Sequence, residues 1–232
     1  MSKTDSQNSR TEILDVAPLD VFTGLSKEII QNFLPGFVTD EMAKQALDIE
    51  FHWVTEHGQD GVLTAGATVK ATVSVATPCD LLSGANFDKH DFKSCPQLDV
   101  ALMGAHEMTY TMTQTEIDFI KKTEAGCAAF MFICGGMLSG LQAGLLEGKT
   151  ATAPRFMVEQ LRKEHPEVRW VEKRWANDGK IWTSGALLNG TDMTRAFALQ
   201  TWGGEGSLAE FGMQLGGYPD RDVDYADVPY KL

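Results

Sequence analysis

The sequence predicts a single α/β domain in which a mostly parallel sheet lies between helices. Short apolar runs alternate with amphipathic segments of about ten residues, the rhythm of strands joined by helices. Two of the runs, residues 98–104 and 128–134, are almost wholly apolar, as strands buried on both faces are. Since sites in such sheets form at the carboxyl ends of strands, we expect functional residues just after these runs.

The domain organisation follows from composition. The 232 residues are 43% hydrophobic, enough for one substantial core, and no Pro/Gly/Ser-rich linker divides them. Residues 1–12 are polar and are expected to form a mobile segment. Residues 13–232 then form the domain, which ends in an acidic C-terminal tail rich in Gly and Asp from Gly203 onward.

The first half of the domain is predicted from helix and strand signals. Asp15 precedes a helix that Pro18 helps to start, and Thr113 is a candidate N-cap. The remaining expectations are a helix over 41–48, a strand over 49–56, one or two β segments over 62–78, a strand over 98–104 and a helix over 113–126.

The second half repeats the alternation. A turn is expected at Asn177-Asp178-Gly179, since such sequences favour tight reversals. Around it we expect strands over 128–134, 168–176 and 180–185 and helices over 137–148, 157–165 and 191–200.

Charge and hydropathy exclude several partners. A net charge of -12 without a basic stripe argues against nucleic acid. The longest apolar run, residues 128–146, is interrupted by four glycines and by polar residues, so no membrane partner is expected. The first residues contain no apolar stretch of the kind a secretory signal needs, which predicts a cytoplasmic location with reduced thiols.

The cysteines and histidines show no ligand spacing. Cys79, Cys95, Cys127 and Cys134 are irregularly placed, without a CxxC pair, and the five histidines form no HExxH pattern. We therefore expect no metal, no other cofactor and no disulfide framework.

Cys134 stands where an apolar strand ends and two glycines lead into a helix. A thiol on this tight turn would face the free amides and positive dipole of the helix N-terminus, which predicts a lowered pKa. The amide of Gly135, with one from the loop after residues 98–104, could hold an oxyanion. The alternative is a buried, inert cysteine beside glycines needed for packing, and local sequence leaves both interpretations open.

Several blocks resemble the ThiJ/PfpI superfamily of class I glutamine amidotransferase-like proteins. Residues 133–155, ICGGMLSGLQAGLLEGKTATAPR, resemble its cysteine signature and the AT block that follows. Residues 174–193, RWANDGKIWTSGALLNGTDM, resemble its later blocks, and residues 14–22, LDVAPLDVF, resemble its first helix. The likeness spans about residues 14–200 and is strongest to isonitrile-hydratase-like, fungal-type members.

This resemblance implies a flavodoxin-like three-layer fold and specific roles. Cys134 matches the nucleophile, Asp15 the acid/base carboxylate, and Gly104 and Ala105 the oxyanion loop. For Asp15, a helix-capping carboxylate is the alternative.

The departures from the pattern concern the pocket. Pro154 and Arg155 stand where many members carry histidine, so His106 is considered as a replacement, the alternative being a surface or capping histidine. Arg155 either binds a substrate carboxylate or forms an ordinary ion pair, and the acidic tail is one possible partner. The loop over residues 185–190, with Leu187, is bulkier than usual and is expected to shape substrate choice.

The first strand of the family pattern is missing. Only polar residues precede Leu14, so we expect one strand fewer and an exposed sheet edge that a tail, loop or second subunit covers.

Two classes of function follow. In the first, the protein is an isonitrile-hydratase-like enzyme that adds the Cys134 thiolate to a small electrophilic carbon, while Asp15 transfers the proton. A variant of this class is a lyase or cyclase that tailors a secondary metabolite. In the second class, the protein is a redox-sensing or chaperone-like dimer without catalysis. In either case we expect a homodimer, and in the first a small-molecule substrate.

Overall fold

A computed structural model describes residues 11–70 and 91–228 and shows an α/β fold with a mostly parallel sheet between helices, as predicted. In chain order the helices are α1 (Ile13–Val16), α2 (Leu19–Thr23), α3 (Lys27–Asn32), α4 (Asp40–Ala43), α5 (Gln114–Gly126), α6 (Met137–Gln142), α7 (Arg155–Glu164), α8 (Asn189–Trp202) and α9 (Leu208–Leu215). The strands are β1 (Gly61–Val62), β2 (Thr68–Val69), β3 (Val100–Met103), β4 (Ala129–Phe132), β5 (Thr150–Ala151), β6 (Arg169–Trp170), β7 (Trp175–Asp178) and β8 (Ile181–Ser184).

The central sheet has the order β3-β4-β8-β7 in the described residues. The first three strands are parallel, with Met103 opposite Phe132 and Phe132 opposite Thr183, and β7 is antiparallel to β8. The carboxyl ends of β3, β4 and β8 therefore meet at one edge of the sheet.

Strand β4 shows why both faces of the sheet are covered. Phe130 and Phe132 face the cluster built with α5, α6 and α7, whereas Met131 and Ile133 face the cluster built with α2 and α8. Strictly alternating side chains, all buried, require an apolar layer on each side. The continuous apolar run of the sequence is explained by this arrangement.

The strand predicted over residues 49–56 is wrong, because this segment is irregular. Its apolar residues Ile49 and Phe51 pack on the cluster around Met131, so their hydrophobicity reflects burial without sheet pairing. The helix predicted over 41–48 is restricted to α4, since the backbone of Leu47 pairs with Leu25 and Lys27 in extended conformation.

Two boundaries in the second half also differ. The helix expected over 137–148 ends at Gln142, and Gly144 follows with a left-handed φ of 71°, a conformation that terminates helices. The strand expected over 168–176 is divided into β6 and β7, which pair with different partners, β5 and β8.

Other predicted elements are confirmed. Thr113 caps α5 in a capping box with Glu116. Gly179, at the expected turn between β7 and β8, has a φ of 67°. Of the β segments expected over 62–78, β1 and β2 form a short hairpin, and residues 71–78 lie outside the described residues.

In the described residues β3 pairs only with β4, which leaves the sheet edge expected from the missing first strand. Helix α1 packs against β3. The prediction of a mobile segment over 1–12 concerns residues of which 1–10 lie outside the described part. No helix in the described residues is long and apolar enough to cross a membrane.

Candidate active site

Cys134 lies on a sharp turn between β4 and α6. Its φ is +56°, a left-handed value that costs a non-glycine residue about 1–2 kcal/mol. The preceding Ile133 is extended, and residues 134–136 form a single 3-10 turn before α6 begins. A strained cysteine at a strand-to-helix turn is the arrangement of a nucleophile elbow, in which the side chain is held away from the regular backbone.

The two glycines after Cys134 make this turn possible. A Cβ on Gly136 would overlap the carbonyl oxygen of Met103 and lie 2.8 Å from that of Gly104, at the end of the neighbouring strand. A Cβ on Gly135 would lie 3.2 Å from the Cβ of Ala105. The close approach of the turn to the end of β3 therefore requires the absence of a side chain at Gly136.

Asp15 brings a carboxyl group to this turn. It is fully buried on α1, and its Oδ2 accepts a hydrogen bond of 2.8 Å from the backbone N–H of Ala105. Its Oδ1 has no hydrogen-bond partner in the described residues. The side chain caps no helix, so the capping alternative is wrong.

The environment of Asp15 favours the protonated form. Burial raises the pKa of this carboxyl to about 6, the Ala105 N–H opposes the change, and the negative charge of Glu12 adds to it. A carboxyl with this pKa exchanges protons readily near neutral pH, which suits a general acid or base.

The pKa of the Cys134 thiol is raised, which corrects the prediction that the helix N-terminus lowers it. Burial is the largest cause, and the negative charges of Asp15 and Glu12 act in the same direction. The backbone N–H groups of Leu187 and Gly135 donate toward the sulfur and lower the pKa, but they are outweighed. The sequence indicates the amides that lower the pKa of the thiol, but the burial that raises it depends on the folded structure.

Glu12, Asp15 and Cys134 form a cluster in which each offers a polar atom within 4.8 Å of those of the other two. We call these three residues the acid cluster. Glu12 was not predicted as part of the site, although it is the N-cap residue directly before α1 and therefore lies close to Asp15 in the first turn. The expectation that no metal binds stays a prediction.

The loop after β3 has a different role from the one predicted. The N–H of Ala105 is occupied by Asp15, so it orients the carboxyl instead of serving as a free oxyanion donor. Gly104 allows α1 to approach, because a Cβ there would overlap the hydroxyl of Thr11 and lie 2.8 Å from the Cβ of Asp15. The amide of Gly135 is directed at the sulfur of Cys134 and lowers the pKa of the thiol, while its role as an oxyanion donor stays a prediction.

His106 lies outside the acid cluster. Its Nδ1 lies 2.8 Å from the carbonyl oxygen of Glu107, and its ring packs edge-on against Tyr110 at 5.5 Å. Among the described residues, its nitrogens do not join the acid cluster. The catalytic role considered for His106 is therefore not supported by its position.

Arg155 is engaged by other protein groups. Its guanidinium lies 2.6 Å from the carboxylate of Glu172, donates to the Val228 carbonyl at 3.0 Å and lies 4.5 Å above the Tyr225 ring. The ordinary ion pair is thus present, together with contacts to the tail. A substrate carboxylate would have to compete with both.

Leu187 contributes a backbone N–H group to the site around Cys134. Its φ is +40°, another left-handed value for a non-glycine residue, and its amide is directed at the Cys134 sulfur. The sequence suggested this residue as part of the pocket wall, and no signal in it indicated that the amide matters.

With this geometry established, the chain can be compared with known proteins. Solved structures with the same fold include a ThiJ/PfpI family protein from Pseudomonas syringae, at a TM-score of 0.60 and 16% identity over 95% of this chain and 76% of that one. DJ-1 from Schizosaccharomyces pombe matches at 0.60 and 13% identity over 91% and 96% of the two chains. Drosophila melanogaster DJ-1beta matches at 0.61 and 13% over 91% and 94%.

These identities are low, so the likeness establishes the fold alone. No protein-family model and no curated protein matches the sequence. The chain thus has the DJ-1-like, flavodoxin-type fold that the sequence predicted, and its activity must be argued from its own residues.

Proposed function

We propose that this protein is a cysteine-dependent enzyme of the ThiJ/PfpI superfamily that hydrates a small electrophilic carbon in the manner of an isonitrile hydratase. The observation that carries the proposal is the cysteine at a φ of +56° whose thiol shares the acid cluster with a buried carboxyl of pKa about 6. A strained nucleophile beside a group that transfers protons near neutral pH is the minimum such chemistry needs.

The first step is addition of the thiol to the terminal carbon of an isonitrile. The sulfur of Cys134 forms a bond to that carbon, and the thiol proton passes through the Asp15 carboxyl to the same carbon. The product is a covalent thioimidate, R–N=CH–S–Cys134. Since Asp15 is held by the Ala105 N–H at 2.8 Å, its free oxygen Oδ1 is left to exchange the proton.

The second step is hydrolysis of this intermediate. Water adds to the carbon while a carboxylate of the acid cluster accepts its proton and passes the same proton to the nitrogen. Collapse of the adduct breaks the C–S bond and transfers the proton of the new hydroxyl group to the sulfur. The formamide R–NH–CHO is released and the thiol is restored. Glu12 is the second carboxylate within reach, so one acid can serve each step.

A raised thiol pKa is compatible with this mechanism. The thiolate is a minor species at neutral pH, yet it is a more basic and more nucleophilic sulfur than a low-pKa thiolate. Proton transfer through a carboxyl of pKa about 6 generates it next to the substrate.

Replacing Cys134 tests the proposal. Cys134→Ser and Cys134→Ala are expected to abolish formamide production from a small alkyl isonitrile, measured by chromatography of the product. Cys127→Ser, which changes a buried free thiol elsewhere, is the matched control and should retain activity. Full activity in Cys134→Ala would refute nucleophilic catalysis by this residue.

The substrate class is tested in parallel. Ketoaldehydes and larger apolar isonitriles are offered at the same concentration, since a lyase or cyclase acting on a larger metabolite would favour them. Turnover of these compounds, with none of the small isonitrile, would replace the hydratase by that alternative and leave the role of Cys134 intact.

The redox-sensor alternative is less well supported by the site. Oxidation by peroxide requires the thiolate, and the two neighbouring carboxylates raise the pKa of the thiol. We also propose a homodimer, which sedimentation equilibrium tests directly.

A further inference from the structure

The C-terminal tail crosses the loop that faces the catalytic cysteine. The N–H of Arg174 donates to the carbonyl of Val223 at 2.8 Å, and the N–H of Gly185 donates to the carbonyl of Arg174 at 2.8 Å. The tail, the segment before β7 and the start of the loop at residues 185–189 are therefore joined by consecutive backbone hydrogen bonds.

Tyr225 is the contact between tail and loop. Its ring lies between two guanidinium groups, with Arg155 at 4.5 Å and Arg174 at 4.7 Å from the ring centre. Its hydroxyl donates to Oδ1 of Asn189 at 2.7 Å. Its φ of +60° is left-handed, so these contacts maintain a conformation that the residue would otherwise avoid.

Arg174 anchors the tail. Its side chain is 2% exposed and forms two hydrogen bonds to the carboxylate of Asp227, at 2.9 and 3.1 Å. A second arginine, Arg221, donates to the carboxylate of Asp192 at 2.6 and 2.9 Å and to the carbonyl of Leu188 at 3.3 Å. The tail is thus fixed on both sides of Tyr225.

The loop needs such support. Leu187, two residues before Asn189, has a φ of +40°, and strained residues of this kind persist only where neighbouring contacts over-determine them. The amide of Leu187, like that of Gly135, is directed at the sulfur of Cys134. Contacts that hold the loop therefore also hold a hydrogen-bond donor in the site.

We propose that the tail positions the active site: Tyr225, anchored by the buried Arg174, holds the loop at Asn189 so that the Leu187 amide reaches the Cys134 sulfur. Tyr225 does not touch the reacting atoms and acts through the loop. This positioning role goes beyond the proposed hydration and concerns any reaction of the thiol.

The experiment compares Tyr225→Phe with the wild type. The substitution removes the hydroxyl that binds Asn189 and keeps the ring between the two arginines. Asp220→Asn is the matched control, since Asp220 lies in the same tail but pairs with Arg195 at 2.8 Å instead of the loop. The readout is the rate of alkylation of Cys134 by iodoacetamide from pH 6 to 10, followed by mass spectrometry of its peptide.

Loss of the Leu187 donor should raise the pKa of the thiol by about one unit, the value of one hydrogen bond to a charged group. Alkylation at pH 8 is then expected to fall about threefold to tenfold in Tyr225→Phe and to be unchanged in Asp220→Asn. Asp15 and Glu12, the acids that face the thiol, are retained in both variants, so their effect cancels in the comparison.

A thiol pH profile identical to that of the wild type in Tyr225→Phe would overturn the proposal. Thermal denaturation of the same variants separates positioning from instability, since a merely structural tail would lower the melting temperature without moving the profile. Arg174→Lys, which weakens the anchor, should move the profile in the same direction as Tyr225→Phe. Alkylation requires no isonitrile, so the result stands whether or not the hydratase activity is found.

Discussion

Two regions of the molecule bury an ionisable side chain in different surroundings. In one, Arg174 pairs with Asp227, and we call these two residues the Arg174 cluster. The other is the acid cluster, in which Asp15 is buried. Arg174 is almost fully buried and has the carboxylate of Asp227 as a bidentate partner. Asp15 is fully buried beside Glu12 and Cys134, which are acids like itself. One region pairs unlike charges, whereas the other gathers groups that repel one another when ionised.

The difference indicates which region stabilises the fold and which is suited to proton transfer. Paired charge fixes a conformation, because the buried guanidinium of Arg174 would be desolvated without compensation if Asp227 moved away. Gathered acids hold their protons to higher pH, and perturbed pKa values of this kind are concentrated where proton transfer is needed. The Arg174 cluster therefore fits a structural role in the tail and loop, and the acid cluster fits the proton transfer of the proposed function.

The largest loss of stability is expected when the Arg174 cluster is broken. Arg174→Met should lower the free energy of unfolding by about 2 kcal/mol, because it removes the hydrogen bonds that the buried guanidinium donates to the tail at Asp222 and Asp227. Lys173→Met is the control, since Lys173 pairs with Asp224 at an exposed position and should cost less than about 1 kcal/mol. Urea denaturation measures both, and equal losses would show that burial does not distinguish the two pairs.

In the acid cluster, removing the charged group is expected to raise the free energy of unfolding. The pKa of Asp15 is raised from 3.8 to about 6 in the folded protein, so its favourable contribution is complete below pH 4 and is lost as the pH rises through 6. Asp15→Asn removes the penalty and should stabilise the fold by about 3 kcal/mol at pH 8, with little change at pH 4.

Thermal or urea unfolding of Asp15→Asn at the two pH values measures this difference. The same variant should lose hydration activity, since an amide transfers no proton. A destabilised protein at pH 8 would mean that the carboxylate is compensated after all, and the contrast with Arg174 would disappear.

A smaller effect is expected from Glu12. Its charge raises the pKa of both Asp15 and Cys134, so Glu12→Gln should lower the pKa of the thiol and speed alkylation of Cys134 at pH 7.5 by about twofold to threefold. Glu107→Gln, at an exposed loop position, is the control and should leave the rate unchanged. A slower rate in Glu12→Gln would remove Glu12 from the acid cluster.

The sequence predicted the parallel strands of the central sheet well. Strands covered on both faces, such as β3 and β4, are continuous apolar runs in the sequence. The prediction failed over residues 49–56, where the apolar residues Ile49 and Phe51 pack beside the sheet without joining it. Hydrophobicity reports burial, and pairing depends on whether a neighbouring strand is available.

For the site, the turn position of Cys134 was predictable from local sequence, a glycine-flanked strand end, whereas the placement of Asp15 beside it was implied only by the resemblance of residues 14–22 to the first helix of the ThiJ/PfpI pattern. The raised pKa of the thiol was not predictable, since it arises from burial and from acids that are distant in sequence. The contribution of Leu187 was hidden for a similar reason, because a backbone amide is present at nearly every position and its direction depends on the tail 38 residues further on.

The coupling of the two acids is tested most directly by the pH dependence of Cys134 alkylation in the wild type and in Asp15→Asn. If thiol and carboxyl share the site, the wild-type rate should rise with pH, level off above about pH 6, where the pair has lost one proton, and rise again when the second is lost. Asp15→Asn should show a single, unbroken rise to one thiol pKa. Identical profiles in the two proteins would contradict the account, because the carboxyl would then have no influence on the sulfur.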